Sequence, residues 1–203
     1  MIIGVCGLIG SGKGTVADLL VDSHRFHKLA FADSLKDGVA AMFDWPRSML
    51  EGDTSASREW REQADTFWSQ EIGHTITPRF VLQKVGTECM RHGLFDGIWV
   101  SRTKQKIQRQ SYLDFVIPDV RFPNEIEMIH SQGGIVVEVK RGPQPQWAQE
   151  FRTLGAEPKD VHPSEWMWMK ERIDHVIENN GSLLDLKNQV SNLLDAISHQ
   201  SSE

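Results

Sequence analysis

Apolar residues fall along this chain in five short runs, rich in β-branched side chains, separated by longer stretches whose apolar positions recur with helical spacing. The runs are residues 1–6, His27-Lys-Leu-Ala-Phe31, Tyr112-Leu-Asp-Phe-Val-Ile-Pro118, Gly134-Ile-Val-Val-Glu-Val-Lys140 and Asp174-His-Val-Ile-Glu178. Such runs alternating with helical crossovers predict one parallel sheet flanked by helices. Two spacings break the alternation. About eighty residues of helical character part the second run from the third, far more than one crossover needs. This surplus holds most of the Trp and many of the Arg. It predicts an inserted helical region, about residues 33–110, over the active edge of the sheet. A second surplus, about 141–173, opens with Arg141-Gly-Pro-Gln-Pro and ends in a Trp- and Met-rich stretch expected to be a helix. Its turn residues predict a hinged flap. A polar end, residues 199–203, is expected to be a flexible tail, and no internal repeat is present.

Size and charge narrow the partners. The 203 residues, 39% hydrophobic and 25% charged, suit a single soluble α/β domain with inserted flaps. A net charge of −6 argues against polymeric nucleic acid, whose backbone demands a basic face. A mononucleotide, needing only a few focused cations, stays open. No run approaches the roughly 18 apolar residues of a membrane span, and the first residues lack the build of a signal peptide. The two cysteines, Cys6 and Cys89, form neither a disulfide framework nor a zinc pattern. Both are expected to be buried small hydrophobes in a cytoplasmic protein.

The first run leads into Gly7-Leu-Ile-Gly10-Ser11-Gly12-Lys13-Gly14-Thr15, and an amphipathic helix follows from Val16 to about His24. A glycine-rich loop between strand and helix, closed by Gly-Lys, wraps phosphates with its backbone N–H groups, and the helix N-terminus adds partial positive charge. Lys13 is the candidate for the β- and γ-phosphates. Gly14 stands where most P-loops carry the Ser or Thr that ligates Mg²⁺, and the hydroxyl arrives one residue later. Thr15 is therefore a candidate for metal ligation or for an α-phosphate hydrogen bond. An Asn-Lys-x-Asp guanine-reading motif is absent from the sequence.

Asp119, at the end of the third run, suits a second acidic site holding a water of the Mg²⁺ shell; the alternative is a cap for the helix near Pro123. Arg121 lies beyond the carboxyl end of that strand, where open α/β sheets bind ligands, and a guanidinium there can take a phosphate bidentately. Asn124 and Glu125 could orient it or simply begin the next helix. In the insert, Arg79 and Gln83 lie one turn apart, and Glu88 and Arg91 read as a surface i,i+3 ion pair. Arg141 and Arg152 of the flap are candidates for closing on phosphates. The Trp residues are expected to pack a small subdomain, and the eight His show no metal-ligand spacing.

The P-loop, Phe31-Ala-Asp-Ser-Leu-Lys36, Leu82-Gln-Lys-Val-Gly-Thr-Glu88, Asp96-Gly-Ile-Trp-Val100, Asp119-Val-Arg-Phe-Pro-Asn-Glu125 and His162-Pro-Ser-Glu165 recur in an order that resembles the viral deoxynucleoside monophosphate kinases. The resemblance spans residue 1 to about 190. It implies a P-loop NTPase three-layer fold with an acceptor-binding insert and a lid, ATP as donor, Mg²⁺ and a dNMP acceptor, and a homodimer would suit it. By position it implies that Gly10, Ser11, Gly12, Lys13, Gly14 and Thr15 bind ATP, with Asp119 near the metal through water. Asp33, Lys36, Arg79, Gln83, Glu88, Arg121 and Arg152 would belong to the acceptor side, and Arg141 would start the lid. Residues 174–186 also resemble dephospho-CoA kinase, whose loop after the last strand contacts adenine, so Asn179, Asn180 and Gly181 are candidates for that contact; Ser182 as a helix N-cap is the alternative.

Chemistry weighs the acceptors. A phosphate acceptor is largely a dianion at neutral pH and needs no general base, only neutralising cations. A hydroxyl acceptor, as in dephospho-CoA, benefits from a carboxylate base, and Asp33 could serve as that base, hold a sugar hydroxyl or cap a helix. A third reading, of another class, is a nucleotide-binding regulator without turnover. The arginine-rich insert and the hinged flap favour an enzyme that excludes water from ATP.

Overall fold

Five strands, β1 (Ile2–Cys6), β2 (His27–Lys28), β3 (Phe115–Ile117), β4 (Ile135–Lys140) and β5 (His175–Glu178), form one fully parallel sheet in the order β2-β3-β1-β4-β5. The computed structural model from which this follows describes residues 1–200, with side chains to Ser198; from residue 201 the expected tail lies outside the described residues, while 199 and 200 end the last helix. Every residue of β1 is buried, as a continuous apolar run requires of a central strand covered on both faces. Ile3 registers with Val116 on one side and Ile135 on the other, and Cys6 with Glu138.

The chain forms two units, one of residues 1–30 with 106 onward, the other of residues 31–105. In the first, α1 (Lys13–His24) and α9 (Leu183–Gln200) cover one face of the sheet. Val16, Ala17, Leu20, Leu186 and Val190 pack there on Ile3, Val5, Val137, Val139 and Ile177. On the other face lies α7 (Pro123–Ser131), so close that a β-carbon at Gly4 would overlap Ile129. Three layers result. Asp174, just before β5, accepts from the Val136 N–H at 2.8 Å and pairs with His130 of α7, also at 2.8 Å. Both outer strands are poor templates for further pairing. β2 has two residues, shorter than the run 27–31, because the chain leaves the sheet once the Leu29 N–H has bonded Val116. On β5, the Gln189 side chain accepts from the Glu178 N–H at 3.1 Å and donates to its carbonyl at 3.0 Å.

After β4 comes α8 (Gln146–Leu154), and the Trp- and Met-rich stretch then forms two 3₁₀ turns, Pro163–Glu165 and Met167–Lys170, in place of the expected helix. Two buried indoles fix this path: Trp166 Nε1 donates to the Val161 carbonyl at 3.2 Å and Trp168 Nε1 to the Glu165 carbonyl at 2.9 Å. Phe151 of α8 packs on the Trp166 ring at 5.2 Å between centroids.

The second unit is helical: α2 (Asp33–Phe43), a 3₁₀ turn Arg47–Leu50, α3 (Ser55–Glu62), α4 (Thr66–Ile72), α5 (Pro78–Gln83), a π-helical stretch Lys84–His92 and the start of α6 (Ile98–Arg109). Its core joins Val39, Trp45, Leu50, Ile76 and Val81, with Trp60 and Trp68 packed against them. Thr54, Asp65 and Thr77 cap α3, α4 and α5 by accepting from backbone N–H groups. Cys6 is buried as expected, whereas Cys89 is exposed, because the π-helical stretch turns it outward. Among the described residues no helix is long and apolar enough to cross a membrane.

Candidate active site

The P-loop is held open by two glycines and a clip. Gly12 adopts φ +103°, and a β-carbon there would overlap the Asn179 side chain; one at Gly7 would overlap the Val139 carbonyl. Both positions therefore exclude a side chain on packing as well as on backbone grounds. Asn179, in the loop after β5, donates from Nδ2 to the Ser11 carbonyl at 2.8 Å. Its amide braces the loop, and its backbone N–H bonds the Lys140 carbonyl at 2.7 Å where β5 ends beside β4. Asn180 accepts from the Gly142 N–H at 2.7 Å, tying the same loop to the start of the 141–173 segment. Gly181 lies against the Asp185 carboxylate, which with Ser182 caps α9. Gly10, Gly14 and Thr15 face outward, while the buried Ser11 hydroxyl has no partner.

Lys13 turns back over this loop. Its Nζ donates to the Gly7 carbonyl at 2.7 Å and the Leu8 carbonyl at 2.9 Å. Burial lowers its pKa below the ordinary lysine value, the Arg121 guanidinium lowers it further, and Glu165 opposes both. These three side chains thus share one electrostatic neighbourhood. Arg121 reaches Ser164 Oγ at 3.3 Å and Glu165 Oε1 at 3.2 Å. Its backbone is fixed from below: Glu125, buried at the first turn of α7, accepts on Oε2 from the N–H groups of Arg121 at 2.7 Å and Phe122 at 3.0 Å. Glu125 therefore both begins the helix and shapes the turn that presents Arg121. Asp119 lies half-buried in the same turn, past the end of β3.

The two flap arginines differ. Arg141 is exposed, directly after β4. Arg152 points at the sheet: its Nη2 bonds Glu138 at 2.5 Å and its guanidinium lies 5.5 Å from the Trp168 ring centre. Glu138 is 2% exposed in the middle of an apolar strand. Burial raises its pKa above the usual carboxylate value and Glu178 adds to the rise, while Arg152 and Lys140 oppose it. Arg152 is thus an anchor of α8 in this structure. A lone Glu inside Ile135-Val-Val-Glu-Val was the sequence signal for this partner.

In the second unit, Lys36 bonds Glu51 at 2.6 Å, and Arg47 reaches Asp33 at 3.3 Å, Asp37 at 2.6 Å and Glu51. Arg79 pairs with Glu62 at 2.9 Å, and Gln83 is exposed one turn further on. Glu88 pairs with Lys84, not with the expected Arg91, whose Nη1 lies 3.9 Å from Asp96. The cause is the π-helical turn, in which residues three apart no longer share a face. Gly86 sits within it, packed on Leu35, and its carbonyl accepts from Trp99 Nε1 at 3.0 Å. Ser164, Glu165, Glu138 and Arg61 are further polar side chains of the two units; the motif His162–Glu165 pointed to the first two, and α3 carried no signal for Arg61.

The sequence model of the deoxynucleotide monophosphate kinase family matches residues 50–190. A putative deoxynucleotide monophosphate kinase of Acanthamoeba polyphaga mimivirus is 28% identical over 207 residues, covering 96% of each chain. The deoxynucleoside-5'-monophosphate kinase of Escherichia phage T5 is 32% identical over 121 residues, which are 59% of this chain and 46% of that one. The crystal structure of TT1252 from Thermus thermophilus superposes with a TM-score of 0.50 at 21% identity, covering 97% of each chain, a likeness of fold alone.

Proposed function

This chain belongs to the deoxynucleotide monophosphate kinase family, and we propose that it transfers the γ-phosphate of ATP to a deoxynucleoside monophosphate, giving ADP and the diphosphate. The observation that carries this reading is Lys13 turned back over the P-loop carbonyls, within electrostatic reach of the Arg121 guanidinium, which Glu165 meets as counter-charge. Polyphosphate bound there supplies the missing negative charge. Lys13 exchanges the Gly7 and Leu8 carbonyls for β- and γ-phosphate oxygens, while the N–H groups of Gly10 to Thr15 enclose them.

An oxygen of the acceptor's phosphate forms the new bond to the γ-phosphorus as the bond to the β,γ-bridging oxygen breaks, and ADP leaves with that electron pair. The acceptor is already a dianion, so no group need remove a proton. Arg121 takes charge from the equatorial oxygens of the transferring group. Asp33, Lys36, Arg79, Gln83 and Glu88 bind the dNMP, Gly181 and its neighbours border the adenine, and Arg141 closes the 141–173 segment over the phosphates as a lid. Among the described residues no three His, Cys, Asp or Glu side chains cluster as a metal cage. One hydroxyl at Thr15 and one carboxylate at Asp119 instead suit Mg²⁺, which keeps several waters and is carried largely by substrate phosphates. When bound, the ion would supply charge neutralisation on the donor's phosphates.

A coupled assay of ADP release tests the reading across the four dNMPs, the NMPs and dephospho-CoA. ADP formation that depends on a dNMP is expected. ATP binding without acceptor-dependent turnover, or turnover with dephospho-CoA alone, overturns it.

A further inference from the structure

Arg61, on α3, differs from the arginines around it. Among the described residues it makes no hydrogen bond or ion pair, yet its side chain is partly buried and its Nε is fully enclosed without an acceptor. The turn before α3 folds directly over its guanidinium at Gly52, where a β-carbon would overlap Nη1 and Nη2. Arg58, one turn earlier on the same face, donates to the Asp53 carbonyl at 2.8 Å and reaches the Gly52 carbonyl at 3.5 Å. Arg79 pairs with Glu62, the residue next to Arg61, at 2.9 Å. Arg58 and Arg79 both lie within electrostatic reach of Arg61.

The nearby carboxylates are already engaged. Glu51 is held by Lys36 and Arg47, and Glu62 by Arg79. A guanidinium stays charged at any working pH and is costly to enclose without an anion. Burial lowers the Arg61 pKa, and Arg79 and Arg58 lower it further against the opposing pull of Glu62 and Glu51. Cations perturbed in this way concentrate at binding sites. We propose that Arg61, flanked by Arg58 and Arg79, is the anion subsite of the second unit and takes the phosphate monoester of the acceptor. This rests on the dNMP kinase reading above, and it adds a residue that no motif singled out. The planar fork carries two Nη groups that can donate to two phosphate oxygens, and the dianion matches the local excess of positive charge.

The test compares wild type with Arg61→Gln and Arg61→Lys. With the P-loop saturated by a non-hydrolysable ATP analogue, each dNMP is titrated while the thermal midpoint is followed. The KM values for dNMP and ATP are then measured. Arg61→Gln is expected to lose the dNMP-dependent rise in midpoint and to raise the dNMP KM at least tenfold, as loss of a charge-assisted contact does. Its KM for ATP stays unchanged, and Arg61→Lys falls between. Without ligand, Arg61→Gln melts at or above the wild-type temperature, because a strained charge is gone; a merely structural arginine would lower it. Arg109→Gln, at the exposed end of α6, serves as the control and alters none of these. A dNMP response equal in wild type and Arg61→Gln, or absent from both, overturns the proposal. Lack of wild-type turnover with any dNMP overturns the kinase reading instead, and the binding titration still decides on Arg61.

Discussion

Replacing Glu125 with alanine removes one side-chain oxygen on which two backbone N–H groups depend, those of Arg121 at 2.7 Å and Phe122 at 3.0 Å. A partly buried donor left without an acceptor costs about 1–3 kcal/mol, so Glu125→Ala is expected to destabilise the protein by roughly 2–4 kcal/mol. Glutamine is the informative contrast. Both donors converge on the same oxygen, Oε2, and a single amide oxygen can receive both. Glu125→Gln should then cost only the charge assistance, on the order of 1 kcal/mol. Urea denaturation followed by Trp fluorescence measures the difference, read from the midpoint at constant slope. The functional consequence goes in parallel, since the same two bonds shape the turn that presents Arg121. Under conditions where each variant is folded, Glu125→Ala is expected to lower kcat/KM tenfold or more, equivalent to about 1.4 kcal/mol, and Glu125→Gln much less. Equal stability losses in the two variants, or an alanine variant within about 0.5 kcal/mol of wild type, would refute the assignment.

Three other expectations concern separate links. Lys13→Met should reduce transfer at least a hundredfold, the scale for loss of one preorganised charge contact, with a small change in melting temperature because its partners are loop carbonyls; a variant retaining a tenth of wild-type kcat would contradict the site. Arg152→Ala leaves Glu138 enclosed without its closest cation and should destabilise by about 3–5 kcal/mol, whereas the double variant Arg152→Ala, Glu138→Gln recovers much of the loss; equal losses in single and double would break the link. Burial alone would raise the Asp174 pKa, but the Val136 N–H, His130 and Arg172 together hold it below the usual value. Its contribution to stability is therefore complete above about pH 4 and lost as pH falls through the lower folded pKa. Asp174→Asn should flatten the acid limb of stability against pH, and an unchanged limb would remove Asp174 as its source.

The sheet was legible because its inner strands are short apolar runs with no competing helical period, as in Ile2-Ile-Gly-Val-Cys6. The P-loop was legible because its glycines and lysine are fixed by spacing within the chain. Features made by partners distant in sequence were not. The pair of Arg152 with Glu138, on another element, has no signal in the residues around Arg152. The bond from the Asn179 amide to the Ser11 carbonyl depends on the approach of its loop to Gly12, which spacing along the chain does not show. The Glu88–Arg91 spacing assumed an α-helix, and the widened turns of Lys84–His92 redistributed both partners. Trp166 and Trp168 suggested helix by composition, whereas their indole N–H groups bonded nearby carbonyls and set two tight turns. In each case local pattern gave the residue type, and tertiary contact decided its task.

Gln189 has a consequence for how the sheet meets other molecules. An outer strand ordinarily offers a row of N–H and C=O groups on which a stray strand from a neighbour can nucleate. At Glu178 that offer is withdrawn, because one side-chain amide from α9 presents an acceptor and a donor where a sixth strand would put its peptide group. The helix thus supplies a mimic of the missing strand, one residue long and unable to propagate. The opposite edge is only two residues long. With one edge two residues long and the other stopped at Glu178, the sheet offers little backbone on which a second copy could extend it.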